Sequence, residues 1–91
     1  MTNLEYLAKD LQMKPEVILK ESLQIFLEHK LKVIESELFV LFKKYGVKSV
    51  LDLDRMINEG KLHEKDTFED YFTFDNLEAE RDLIIKHLEK L

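Results

Sequence analysis

Histidine side chains are the residues of this chain best suited to bind a metal ion or transfer a proton. The 91 residues include three, His29, His63 and His87, and no cysteine. A helical zinc or iron site needs further His or carboxylate side chains three or four positions away on one helix face. His29 and His87 have apolar residues four positions away, whereas His63 lies in a charged segment beside Glu64 and Asp66. We therefore expect solvated histidines, with a weak surface site at His63 as the alternative.

Catalytic motifs are also missing from the sequence. It has no HExxH pair, no Gly-rich phosphate loop and no thiol nucleophile. Ser22, Ser36 and Ser49 have no evident base beside them. A small bundle filled by its own Leu and Phe leaves little room for a substrate pocket, which takes about 300 Å³ or more. We predict no enzymatic activity, no metal and no other cofactor.

Aromatic residues crowd into one short segment, where they alternate with acids. The predicted partner-binding residues are Phe68, Glu69, Asp70, Tyr71, Phe72, Phe74 and Asp75. Buried aromatic anchors dominate binding energy, and an acidic rim attracts and orients a basic partner. In the alternative interpretation Phe68, Tyr71 and Phe72, which share one helix face, belong to the core, and Phe74 covers a kink.

The elements that position these residues are predicted to be helices. Only 2 Gly and 1 Pro interrupt a chain rich in Leu, Glu and Lys. Capping-box spacing, Pro at a first helical position and Gly at a helix end mark the boundaries. The predicted helices run over about 3–12, from Pro15 to about Tyr45, from Ser49 to Gly60, and from Asp66 or Thr67 to the C-terminus, the last with a kink near 73–76. The fold class is all-α, a single domain of residues 1–91 and a helical bundle.

The long central helix carries more apolar surface than its neighbours are expected to cover. A 31-residue helix is about 46 Å long, whereas a compact domain of this size has a radius of gyration of about 13 Å. Leucine and isoleucine recur on it with the 4-3 spacing of a coiled-coil seam. The predicted dimer interface is Leu27, Leu31, Ile34, Leu38, Leu41 and Tyr45. In the alternative, the fourth helix covers this seam in a monomer.

Charge is unevenly divided along the chain. Residues 1–46, the hairpin and long helix, carry 7 Lys and 7 acids, and residues 47–91 carry 7 Lys or Arg and 12 acids. Phosphate backbones would be repelled by the second half. Nucleic acid, if bound, is therefore expected to contact Lys9, Lys14 and Lys20.

Location is indicated by the N-terminus, composition and hydropathy. The chain opens on polar residues, and no apolar run approaches the roughly 18 residues of a membrane span. Absence of cysteine fits a reducing compartment. We expect a cytoplasmic protein without a membrane partner or small-molecule substrate.

Residues 7–27, LAKDLQMKPEVILKESLQIFL, resemble the helical hairpin of ribbon-helix-helix regulators. Gln12 stands where that family has a turn glycine, and Lys14-Pro15 stands where it has a serine cap. Too few residues precede Leu4 to form the β-strand that enters the DNA major groove in that family. The resemblance therefore implies a strandless hairpin.

The whole layout resembles small prokaryotic antitoxin-type proteins. The matching motifs are KYGV at Lys44–Val47, NEGK at Asn58–Lys61, FED at Phe68–Asp70, and a C-terminal helix with Leu77-Glu78, Arg81-Asp82 and Leu88–Leu91. The resemblance implies an oligomer that neutralises a basic toxin through its acidic half. We predict a non-enzymatic protein–protein interaction module of this type, with a DNA-binding regulator or a homo-oligomeric adaptor as alternatives.

Overall fold

Local signals determine where the first three helices begin: hydroxyl caps for the first and third, and Pro15 at the first position of the second. In the computed structural model, which describes residues 2–62 and 64–91 and only the backbone of 64–66, α1 spans Asn3–Leu11, α2 Pro15–Tyr45, α3 Val50–Asn58 and α4 Glu64–Glu89. The Thr2 hydroxyl accepts a hydrogen bond from the Glu5 amide (3.3 Å), and the Ser49 hydroxyl accepts one from the Asp52 amide (3.1 Å). The predicted all-α class and the bounds of α1 to α3 are confirmed.

α1 and α2 each end at a residue in the left-handed backbone conformation. Gly46 adopts φ 64° after α2, and the Val47 amide donates to the Phe42 carbonyl at 3.0 Å, as in a Schellman ending. Gln12 ends α1 with φ 54°, a conformation that non-glycine side chains disfavour. The turn between α1 and α2 therefore forms without the glycine that the ribbon-helix-helix pattern has there.

The start predicted for α4 is wrong. The helix already begins at Glu64, so Asp66 and Thr67 lie within its first turns rather than before it. Thr67 is buried. Between Glu64 and Glu89 the helix is continuous through 73–76, where the sequence suggested a kink.

The core lies between α2 and α4, which run antiparallel. Tyr45 faces Asp70 at one end of this pair, and Leu27 and Leu91 line a common depression towards the other. The buried cluster of the described residues comprises Ile34, Leu38, Leu41, Val47, Leu53, Phe74, Leu77 and Ile84. α3 packs on α4 and α1 on α2. The molecule is elongated, 62 × 20 × 18 Å with a radius of gyration of 19.4 Å.

The prediction that the α2 seam is a dimer interface is corrected by this packing. Ile34, Leu38 and Leu41 are buried within one chain, and the rest of the seam packs against the same core: Leu27, Leu31 and Tyr45. α4 of the same chain covers the seam. An intrachain helix and a partner helix satisfy a 4-3 spacing equally well, so the spacing alone does not identify the covering helix.

Among the described residues, no helix combines the length and the apolar character that crossing a membrane requires.

Candidate partner-binding surface

An open groove lies where α3 folds back along α4. The Val50 amide at the start of α3 donates to Glu78 Oε1 at 3.3 Å, and the end of α3 reaches Phe68, so the two helices are antiparallel. The groove has a volume of about 200 Å³. Its lining residues are Asp54, Ile57, Asn58, Thr67, Phe68, Tyr71 and Phe72, and together they are called the aromatic groove below. Three predicted site residues, Phe68, Tyr71 and Phe72, thus share a concave surface with α3.

Phe68 and Phe72 form an exposed wall of the groove. Their positions, four residues apart, place them on one face of α4. The ring centroids are 4.7 Å apart with an interplanar angle of 82°, an edge-to-face pair, and Tyr71 meets Phe72 at 6.2 Å. Phe68 is nevertheless 53% exposed and Phe72 50% exposed. The two rings stabilise each other's position while leaving apolar surface open to a partner.

Phe74 was wrongly included in this surface. It is 0% exposed, and its ring meets Phe42 of α2 edge-on at 5.1 Å. Phe74 is therefore a core residue between α2 and α4. The alternative interpretation is also wrong about Phe68 and Phe72, because it placed both in the core.

Asp70 faces α2 rather than the groove. Its Oδ2 accepts hydrogen bonds from Lys44 Nζ and from the Tyr45 hydroxyl, each at 2.5 Å. The hydrogen bond from Lys44, and then that from Tyr45, lower the pKa of Asp70 below its ordinary 3.8. The hydrogen bond to Asp70 raises the pKa of Lys44, and burial, followed by the same carboxylate, raises the pKa of Tyr45. Asp70 therefore joins the two long helices and is less available to a partner than the exposed Glu69 and Asp75.

Replacing Tyr45 by phenylalanine removes this hydroxyl and keeps the ring. Because the pKa of Asp70 is lowered in the fold, the contribution of its carboxylate to stability is complete above 3.8 and is lost as pH falls through the folded value. We expect Tyr45→Phe to lower the free energy of unfolding by up to about 1 kcal/mol near neutral pH. This difference should shrink below the ordinary pKa of Asp70.

Urea unfolding at neutral and acidic pH measures this difference. Tyr71→Phe is the matched control, since no hydrogen bond from the Tyr71 hydroxyl is found among the described residues, and it should give no pH-dependent difference. A Tyr45→Phe effect that is constant with pH would contradict the role given to Asp70.

Sequence reasoning missed the contribution of α3 to the groove. Asp54 and Asn58 are four residues apart, with Ile57 between them, so they share a helix face. Asp54 is the one carboxylate among the described lining residues. The 3.6-residue period of α3 predicts that these residues share a face. It does not predict which face of α4 they meet.

The predicted nucleic-acid contacts lie among acids on the α1–α2 hairpin. Lys9, Lys14 and Lys20 are exposed on α1, the turn and the start of α2. Exposed acids are interspersed with them on the same hairpin: Glu5, Asp10, Glu16 and Glu21. Residues 3–26 carry 3 Lys and 4 acids, and nucleic-acid binding through these lysines stays a prediction.

The metal-binding candidates are placed as follows. His29 and His87 are exposed, and the candidate surface site at His63 lies outside the described residues. Among the residues that are described, no group of three or more His, Cys, Asp or Glu side chains is placed to hold a metal ion.

Comparison with known proteins assigns the chain to a family. A model described as "Uncharacterized protein MJ0235 family" matches residues 1–91. The chain is similar to "Uncharacterized protein MJ0235" of Methanocaldococcus jannaschii, with 33% identity over 76 residues, covering 84% of this chain and 92% of the relative. No solved structure matches the chain significantly. Since the family model extends over every residue, the chain belongs to the MJ0235 family.

Proposed function

We propose that this protein is a helical interaction module that binds a basic partner protein through the aromatic groove. The observation that supports it is the half-exposed pair Phe68 and Phe72 beside the carboxylate of Asp54. Aromatic side chains that stay open to water beside a charged group are typical of binding surfaces rather than of a folded core.

The size of the groove favours one inserted side chain over a small molecule. Small-molecule pockets occupy about 300–1,000 Å³, whereas this groove has about 200 Å³. An arginine from the partner fits its chemistry, because its apolar stem would pack on Phe68 and Phe72 and its guanidinium would pair with Asp54. A cation over an aromatic face adds about 0.5–2 kcal/mol.

The charge around the groove favours a basic partner. Glu69 and Asp75 are exposed on the same helix, and the C-terminal half accounts for the whole net charge of −5. Such a field accelerates encounter with a positively charged protein and repels acidic ones.

The narrower form of this proposal is the antitoxin role, which the sequence's resemblance to small prokaryotic antitoxin-type proteins implies. The basic partner would then be a toxin whose active surface the groove covers. Co-expression with that partner should relieve the growth arrest it causes, and the relief should require Phe68 and Phe72.

Affinity capture from source cells tests the proposal with a double variant, Phe68→Ala together with Phe72→Ala. We expect the wild-type protein to retain a small basic protein that the double variant loses. With the purified partner, the two truncations should raise Kd at least about 30-fold, since each aromatic anchor contributes about 1–2 kcal/mol or more. Asp54→Asn should raise Kd about tenfold and weaken the salt dependence of binding.

The matched control is Phe39→Ala together with Val40→Ala, an exposed apolar pair on α2. It should bind the partner as the wild type does, and circular dichroism should show equal helix content in all variants. If the partner binds the Phe68→Ala, Phe72→Ala variant with unchanged affinity, the groove is not the binding site. Binding only to DNA, with affinity falling steeply with salt, would support the regulator alternative instead.

A further inference from the structure

The α1–α2 hairpin carries a second uncovered apolar surface. The end of α4 lies beside Leu23 and Leu27, where His87 and Leu91 line a common depression with them. The preceding part of α2 and α1 therefore extend past the end of α4. The large apolar side chains exposed there are Tyr6, Leu7, Leu11, Val17, Leu19, Leu23, Ile25 and Phe26, called the hairpin surface below.

The hairpin has little core of its own. Ala8 is the one buried residue of α1, and the described side chains of α2 that are buried begin only at Ile34. A nine-residue helix is marginal in water without packing. Two helices form one layer, and a stable helical domain needs a second layer to cover their apolar faces.

We propose that a second copy of this chain covers the hairpin surface, so that two α1–α2 hairpins form a four-helix bundle. Two-fold symmetry makes such an interface isologous, with the same residues contributed by each copy. Short antiparallel hairpins that pair in this way are a common bundle architecture.

The available apolar area corresponds to a weak dimer. A large apolar side chain hides roughly 60–120 Å² on full burial, so eight that are about half exposed present on the order of 400 Å² per chain. Homodimer interfaces are about 65% apolar. Leu19, Leu23 and Phe26 share one face of α2, whereas Val17 and Ile25 lie on the other side, so one partner hairpin covers only part of this area. The implied interface totals at most about 1,200 Å², the size of a weak association.

Charge favours a second copy over a strongly charged partner. Residues 3–26 carry 3 Lys and 4 acids, so this end is close to neutral while the opposite end carries the net negative charge. A dimer joined at the hairpins keeps the two acidic ends apart. The aromatic groove, at the Tyr45 end of α2, stays free.

Light scattering of the full chain over a concentration series tests the dimer. We expect the mass of the wild type to rise with concentration from the chain mass of 10.9 kDa towards twice that value. Leu19→Lys together with Leu23→Lys should raise the dimer Kd at least about 100-fold, because four buried leucines per dimer become charged. Phe39→Lys with Val40→Lys, equally exposed on α2 but outside the hairpin, should leave it unchanged.

Spin-label distances supply a readout independent of these variants' folding. The chain has no cysteine, so Ser22→Cys and Asn58→Cys each give one label per chain. Labels at position 22 should lie close together in the dimer, and labels at 58 further apart than the 62 Å length of one chain. A monomeric wild type, a dimer unaffected by the hairpin lysines, or close labels at 58 would each overturn the proposal.

Discussion

Replacing Phe74 by alanine is expected to lower the free energy of unfolding by about 3–5 kcal/mol. Phe74 is wholly buried between α2 and α4, and its ring meets Phe42 at 5.1 Å with an angle of 63°. Truncation removes both the buried apolar area and this edge-to-face contact, and leaves a cavity that the two long helices close only in part. Because small domains have about 5–15 kcal/mol of stability in total, the loss should be evident in urea unfolding followed by circular dichroism.

Phe72→Ala is the matched control on the same helix. Phe72 is half exposed and touches Phe68, so its truncation should cost no more than about 1 kcal/mol. Equal losses from the two substitutions would show that α4 is rotated about its axis relative to the structure described here. The pair therefore separates the core face of α4 from the face assigned to partner binding.

Helix boundaries were predictable where the signals are local. Pro15 at a first helical position, Gly46 in a left-handed conformation and the hydroxyl of Ser49 act within one turn, so they place α2 and α3 without knowledge of the tertiary fold. The predicted start of α4 is wrong because it rested on a local signal alone. Thr67 and Asp70 have capping-box spacing, but burial of Thr67 against the rest of the chain overrides that local preference.

The direction of the aromatics was harder to predict because α4 is apolar on more than one side. A usable signal was present further along the helix. Ile84, Leu77 and Phe74 follow a 4-3 spacing, and continuing it backwards by four and then three residues reaches Asp70 and Thr67. All five face the interior. Tracing this spacing from the C-terminal end would therefore have placed Phe74 in the core and Phe68 and Phe72 outside it.

Which chain covers an apolar helix face is not encoded in its spacing. The seam of α2 and the hairpin surface are both apolar, yet α4 covers the first and extends no further than the start of the second. The length of α4 and its register against α2, with Asp70 opposite Tyr45, decide this difference. Residues 64–89 span about 39 Å at 1.5 Å per residue, which is shorter than α2.

Leu38→Ala is expected to lower the free energy of unfolding by about 2–5 kcal/mol. Leu38 is 1% exposed in the centre of the α2 seam, and its side chain belongs to the same cluster as Phe74 and Leu77. The neighbouring Phe39→Ala is the control. Phe39 is 55% exposed, and Lys43 lies 4.9 Å from its ring, so its loss should cost less than about 1 kcal/mol.

The loss of stability in Leu38→Ala could come from packing against α4 of the same chain or from packing in a dimer seam. Measuring Leu38→Ala in the background of Leu19→Lys and Leu23→Lys separates these two origins. Stability that came from a dimer seam at Leu38 would depend on protein concentration by mass action, and association through that seam would survive the hairpin lysines. If α4 of the same chain covers Leu38, the cost of the alanine is the same in the monomeric background and at every concentration. The two sets of substitutions lie more than three helical turns apart on α2 and contact different neighbours, so their effects on the unfolding free energy should add.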